Sequence, residues 1–192
     1  MEAAVARFLK ECKADASNVH LHQIPSNDAW IRDFGPIFVK SETRVPRLIA
    51  IDWGYNSWGG KYPPFDKDDH APVPIAEYLG MPVIEGGMIL EGGSIDVNGR
   101  GLLLTTEQCL LNKNRNPHMS REQIEQRIGR MLGVRKILWL GDGIVGDDTD
   151  GHIDDLTRFV DVNRIVTLVE EDKSDRSEEH TSEPQSRQSI PY

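Results

Sequence analysis

The chain has 192 residues, 38% hydrophobic and 28% charged, the balance of a folded domain with its own core rather than of a disordered or fibrous chain. Its formal net charge of −9 disfavours nucleic acid and anionic membranes as partners and suits a small cationic ligand, although acidity by itself also serves solubility. Two cysteines are too few for a disulfide framework, the N-terminus "MEAAVARFLKECK" lacks the apolar stretch of a signal peptide, and no apolar run approaches the ~20 residues of a membrane span, so a cytoplasmic location is expected.

Val5, Phe8, Leu9 and Cys12 recur at helical spacing and predict a short amphipathic helix with Cys12 packed on its apolar face. "VHLHQI" alternates and reads as a strand. "SNDAWIRDFGP" follows, with Gly35-Pro36 as a turn before the strand "IFV", so Asp33 is expected at a strand end. "RLIAID" is a further strand, and "WGYNSWGGKYPPFDKDD" a long surface loop whose two tryptophans argue for order. "IAEYLG" is a helix ended by Gly80 and "MPVIEGG" a strand. In "SIDVNGRGLLLTT", Asn98-Gly99 predicts a type I′ hairpin turn. "SREQIEQRIGRMLG" is a helix with a capping box (Ser120, Gln123), a buried stripe (Ile124, Ile128, Leu132) and a glycine stop at Gly133. "KILWL" is a strand, and "LTRFVDV" and "IVTLVEE" flank Asn163-Arg164 as a second hairpin. Short strands, often paired, alternate with single helices, which predicts an α/β protein with mixed strand pairing.

The tail "RSEEHTSEPQSRQSIPY" has almost no apolar residues and is expected to be disordered. It closely resembles the conceptual translation of a sequencing-library adaptor. The expected division is therefore a domain over residues 1–175 and a non-native tail over 176–192.

Residues 147–159, "DDTDGHIDDLTRF", carry five aspartates and one histidine before an apolar run, and such a stretch invites a cation. Several sites are conceivable here. "GDGIVG" at 141–146 fits a dinucleotide fingerprint after a strand, but three aspartates follow where a phosphate-binding helix should begin. A calcium loop with Gly151 at its sixth position would have Gly146 first and Thr157 twelfth, losing both outer ligands. His152 with Asp154 could begin a transition-metal site, but no second histidine pair stands near. "GYNSWGGK" is one residue too long for a phosphate loop, and Tyr62 replaces its hydroxyl ligand. In an extended segment, His152 and Asp154 share one face and Ile153 points to the core. An imidazole and a carboxylate on one face can bind a cation and move a proton there. Paired carboxylates also match the planar fork of a guanidinium. Each of these side chains could instead be a solvated aspartate or a loop cap.

"SNDAWIRDFGPIFV", "DWGYNSWGGKYPP", "EGGSIDVNGRGLLLTTEQCLLNKNRNP" and "GHIDDLTRF", in this order, resemble the agmatine deiminase family of the guanidino-group-modifying superfamily. The resemblance implies a partial pseudo-fivefold α/β propeller of ββαβ-type units, a protein-arginine deiminase-like hydrolase. It also implies conversion of agmatine and water to N-carbamoylputrescine and ammonia, on the route to putrescine, without metal or organic cofactor. In that chemistry a cysteine thiolate attacks the guanidinium carbon, carboxylates hold its nitrogens, and a histidine moves protons. By resemblance, Asp33 and Asp154 are the guanidinium carboxylates, His152 is the acid/base, and Trp30 and Glu91 lie in pocket-lining motifs. The family's nucleophilic cysteine lies in a glycine-rich motif that nothing after Asp175 resembles, and Cys109 matches a different position. The expectation is a fragment that lacks its nucleophile. Two other readings stay open: a non-catalytic domain for guanidino ligands, and a dinucleotide-binding oxidoreductase using residues 141–146.

Overall fold

The computed structural model describes residues 2–41, 45 and 47–169. The chain opens with α1 (Glu2–Glu11), then α2 (Ile31–Phe34), β1 (Ile37–Lys40), β2 (Leu48–Gly54), α3 (Ser57–Gly60), α4 (Asp66–His70), α5 (Pro72–Tyr78) and β3 (Val83–Ile89). A 3₁₀ turn at Gly92–Ser94 leads into β4 (Asp96–Val97), β5 (Leu102–Thr106), α6 (Glu107–Leu110), α7 (Arg121–Leu132) and β6 (Lys136–Leu140). A second 3₁₀ turn at Ile153–Asp155 precedes β7 (Thr157–Asp161) and β8 (Arg164–Thr167).

Two sheets share one plan. In the first, β1 runs antiparallel to β2, helices follow, and β3 returns parallel to β2. In the second, β4 is antiparallel to β5, α6 and α7 follow, and β6 returns parallel to β5. The β7–β8 hairpin stands as a third, two-stranded sheet. The central strands carry the core because both their faces are covered. Leu103, Leu104, Thr105 and Thr106 of β5 are all buried, and Ile51, Trp53, Leu90 and Leu103 pack with Ile124 and Ile128 of α7. A smaller cluster of Phe34, Tyr55, Trp58 and Ala71 lies apart from it, with Ile24 against its edge.

Helix α7 forms as its sequence predicts. Ser120 caps it through the Gln123 N–H, Gln123 reaches back to the Ser120 N–H, and Gly133 ends it at φ 69°. Other expectations change. "VHLHQI" is not a strand: among the described residues no strand pairs with it, Val19 and Leu21 stay exposed, and Ile24 packs against the smaller cluster. The first helix forms, but Phe8 is 63% exposed and Cys12 is exposed, so the thiol does not pack on a buried face. The aromatic loop is no simple surface loop, since it contains α3 and α4 and buries Tyr55 and Trp58. The first hairpin exists without a two-residue type I′ turn. Val97 pairs with Leu103, the positive φ angles fall on Gly99 and Gly101, and the Asn98 side-chain oxygen accepts from the Arg100 and Leu102 N–H groups. An asparagine that bonds its own turn in this way favours a longer loop. In the second hairpin Asp161 pairs with Arg164, so the turn is Val162-Asn163, one residue earlier than expected. Residues 176–192 lie outside the described residues.

"GDGIVG" does not open a helix. A side chain at Gly143 would come within 2.3 Å of the Gly151 Cα, and the Gly143 N–H donates to Gln108 Oε1 at 2.6 Å. The glycines let two backbone segments touch, and the helix N-terminus that a pyrophosphate needs is missing from the described residues after β6.

Ile128 is fully buried at the centre of the main core. Ile128→Ala is expected to lose about 2–5 kcal/mol of stability, and Ser120→Ala about 1 kcal/mol through the lost cap. Denaturant unfolding measures both, and equal losses would mean that α7 does not carry the core.

Candidate active site

Most of the acidic stretch is occupied by the protein itself. Asp147 accepts from the Thr149 hydroxyl and from the backbone N–H groups of Thr149, Gly151 and His152. Burial works against its charge, but these hydrogen bonds prevail and hold its pKa below the usual carboxylate value. Asp148 takes the Tyr62 hydroxyl at 2.9 Å. Asp150, at φ 64°, receives Lys61 Nζ at 2.6 Å, Arg115 NH1 at 2.8 Å and Asn114 Nδ2 at 2.9 Å. Its pKa is also lowered, the hydrogen bonds outweighing burial. Asp154 remains on the cavity side with Asp155.

Arg115 is the cation that organises this region. It is 3% exposed, donates through Nε to Glu91 Oε1 at 2.7 Å, and donates through NH2 to the Thr149 carbonyl at 2.8 Å. Burial opposes its charge, yet Glu91, Cys109 and Asp150 together raise its pKa. Glu91 itself is fully buried, and burial raises its pKa although Arg115 opposes the shift.

Asp33, His152 and Asp154 converge. His152 Nδ1 lies 3.8 Å from Asp33 Oδ1 and 3.9 Å from Asp154 Oδ1. Asp33 sits on α2, not at a strand end, and is 8% exposed. Both its oxygens have donors: the Gly93 N–H at 3.0 Å and Trp58 Nε1 at 3.2 Å. Burial still pushes its pKa up to about 6. Ile153–Asp155 form a 3₁₀ turn with His152 at its N-cap, rather than an extended segment, but the tight turn also leaves Ile153 fully buried and sends His152 and Asp154 to one side. Burial, aided by the Arg115 charge, pushes the His152 pKa down to about 4 against the opposing charges of Asp147 and Asp150.

Glycine makes the convergence possible. A side chain at Gly93 would lie 2.5 Å from His152 Nδ1 and 2.7 Å from Asp33 Oδ1, and one at Gly92 would lie 2.1 Å from the Arg32 carbonyl. Trp58 reaches Asp33 from a segment in which Ser57 (φ 53°) and Trp58 (φ 54°) both adopt left-handed backbone. That conformation costs a non-glycine residue about 1–3 kcal/mol. It is held by Asn56, which caps the Gly59 N–H and donates to the Asn114 carbonyl.

Asp33, Trp58, His152 and Asp154 line a cavity of about 450 Å³ with Asp28, Trp30, Arg32, Tyr62, Asp148 and Asp155. Five aspartates face one arginine there, so the field favours a cation. Arg32 Nε already lies 3.6 Å from Asp154 Oδ2, an internal example of the contact a guanidino ligand would make. A second cavity of about 300 Å³ beside α7 carries His118, Arg127 and Arg130 without a carboxylate, the wrong sign for such a ligand. Trp30 is 59% exposed at the mouth of the first cavity. Glu91 is not on its wall: it is fully buried, with its carboxylate within 4.8 Å of a His152 ring nitrogen. Neither cysteine lines it: Cys12 is exposed, and Cys109 is buried on α6, where burial raises its thiol pKa.

A family model described as Porphyromonas-type peptidyl-arginine deiminase matches residues 2–189. The chain belongs to that family. It is 41% identical to an agmatine deiminase of Medicago truncatula over 204 positions, covering 94% of this chain and 54% of that protein. It is 42% identical to an agmatine deiminase of Pseudomonas savastanoi pv. phaseolicola over 172 positions, covering 85% of this chain and 45% of that protein. Among solved structures, the agmatine deiminase of Enterococcus faecalis superposes with a TM-score of 0.77 at 37% identity, over 88% of this chain and 47% of that one. A C. jejuni agmatine deiminase variant with substrate bound gives 0.76 at 38% identity, over 88% and 50%. The chain spans about half the length of the curated relatives it matches. No described helix of this deiminase-family chain is long and apolar enough to cross a membrane.

Sequence reading missed Arg115, Gly93 and Trp58 as parts of this site. Arg115 in "NKNRNP" has no periodic context, and only its place between asparagines in a motif region hints at a special role. Removing it leaves Glu91 buried without a counter-charge. Arg115→Met is expected to cost about 3–5 kcal/mol, and a further Glu91→Leu to recover much of that loss. Denaturant unfolding decides; an Arg115→Met protein as stable as the parent would show that the cluster does not hold these loops together.

Proposed function

We propose that residues 1–175 form the guanidinium-binding and proton-transfer part of an agmatine deiminase-like hydrolase. The reaction is agmatine plus water to N-carbamoylputrescine plus ammonia, a step towards putrescine. The observation that carries this reading is the meeting of Asp33, His152 and Asp154 within 3.9 Å on the wall of an acid-lined cavity. Asp33 and Asp154 hold the guanidinium nitrogens by charge-assisted hydrogen bonds. A thiolate, supplied from outside these residues and generated as its thiol passes a proton to His152, bonds to the guanidinium carbon. The C–N bond breaks, and ammonia leaves with a proton relayed by His152. His152 then takes a proton from the water that cleaves the C–S bond. Trp30 covers the alkyl chain of the substrate at the cavity mouth. Glu91 acts from behind His152 rather than by touching the substrate.

The excess of aspartate at the cavity favours a substrate cationic at both ends, as agmatine is, over one that carries its own carboxylate. The repeated plan of the first two sheets supports a partial pseudo-fivefold propeller of ββαβ-type units. Two free cysteines suit a reducing, cytoplasmic setting. The absence of both cysteines from the cavity wall favours a second reading, a guanidino-binding domain without turnover.

Calorimetric titration of the chain with agmatine tests the binding step. Asp33→Asn and Asp154→Asn are each expected to weaken binding roughly 10- to 150-fold, the equivalent of 1.5–3 kcal/mol for a hydrogen bond to a charged group, while Trp30→Phe, which keeps the aromatic area, changes it far less. Ammonia release from agmatine by this chain is expected to be undetectable. Unchanged affinity in both aspartate variants would refute the site, and turnover abolished by Cys109→Ser or Cys12→Ser would show that the nucleophile lies within these residues.

A further inference from the structure

We infer that Glu91, Cys109 and His152 form a buried capture site for one thiophilic divalent cation, with Zn²⁺ as the fitting case, directly behind the cavity. Their ligand atoms all lie within 4.8 Å of one another, and all three side chains are buried. Two donor atoms of this group, Glu91 Oε2 and His152 Nε2, have no hydrogen-bond partner among the described residues. A buried carboxylate oxygen and imidazole nitrogen left unpaired are costly unless something fills the space between them.

The three donors come from separate elements that are tied together. Thr106 donates its hydroxyl to the Gly151 carbonyl at 2.6 Å and accepts the Cys109 N–H at 3.1 Å, so the thiol and His152 are held by one residue. Arg115 fixes Glu91 through Oε1 and leaves Oε2 free. Zinc bonds of about 2.0–2.3 Å place tetrahedral ligand atoms roughly 3.3–3.8 Å apart. The site therefore needs a contraction of roughly 1 Å, shared by three side chains. One sulfur, one nitrogen and one oxygen suit Zn²⁺ or Co²⁺ and not Mg²⁺ or Ca²⁺, which demand oxygen shells.

The charges balance. Binding replaces the Cys109 S–H bond with an S–metal bond, and the proton leaves to solvent. Thiolate and Glu91 carboxylate then neutralise the ion, while Asp150 answers the Arg115 charge. His152 gives its Nε2 lone pair to the metal, and a water completes the shell. The metal is an antagonist rather than a cofactor, because it occupies the imidazole that faces Asp33 and Asp154. That antagonism rests on the proposed function; the binding site itself does not.

The test is a titration of the reduced chain with Co²⁺ in the absence of agmatine, followed by absorbance. A thiolate-to-cobalt charge-transfer band is expected with one equivalent, and Zn²⁺ should bleach it. The band should persist in Cys12→Ser and vanish in Cys109→Ser. His152→Gln, which leaves the thiol in place, should weaken Co²⁺ binding at least tenfold and keeps the test decisive if Cys109→Ser does not fold. No band at saturating Co²⁺, a band that survives Cys109→Ser, or undiminished affinity in His152→Gln would overturn the site. Agmatine binding by the metal-free chain is measured separately, so failure of the guanidino reading and failure of the metal site give different results.

Discussion

A single buried guanidinium holds the acidic half of this protein in order. Arg115 joins Glu91 at the end of β3 to Asp150 and the Thr149 carbonyl in the loop before β7. Without that cation, the carboxylates of 147–155 would repel one another and the loop would have no reason to fold inward. With it, Asp147 and Asp150 are spent on structure, and Asp154 is left for the cavity. The same charge adds to burial in keeping His152 neutral where it meets the cavity.

The cavity has the converse arrangement: carboxylates without an internal partner equal to them. Asp33 has two hydrogen-bond donors but, among the described residues, no Lys or Arg in contact, and burial raises its pKa to about 6. Asp154 has Arg32 and Arg158 only at 3.6 and 4.0 Å. On the proposed function, an arriving guanidinium would restore the charge balance that burial disturbs, and binding free energy and preorganisation would come from the same unmet charges. The left-handed backbone at Ser57 and Trp58 and the missing side chain at Gly93 serve this end, since each lets a donor reach Asp33.

The legible parts of the sequence were those whose signal is local. The box at Ser120 and Gln123, the Ile124/Ile128 stripe and the Gly133 stop lie within one helix and need no partner to be read. "VHLHQI" alternates like a strand, but a strand needs a neighbouring edge, which no alternation can reveal. Asn98-Gly99 marked a hairpin correctly and its loop incorrectly, because the Asn98 side chain competes with the short turn. Family resemblance put Asp33, His152 and Asp154 forward as candidates. It could not tell that Glu91 sits behind the histidine, or that Trp58 and Gly93 hold Asp33, because those relations span 25 to 61 residues of chain and exist only in the packed state.

The central claim is that Asp33 and Asp154 present a guanidinium to His152. A crystal structure of the chain grown with agmatine tests it most directly. The account predicts the guanidino group inside the cavity, its nitrogens about 2.7–2.9 Å from carboxylate oxygens of both aspartates and its carbon in front of the imidazole. Agmatine held with its amine end at Asp33, or an empty cavity at saturating ligand, would contradict it.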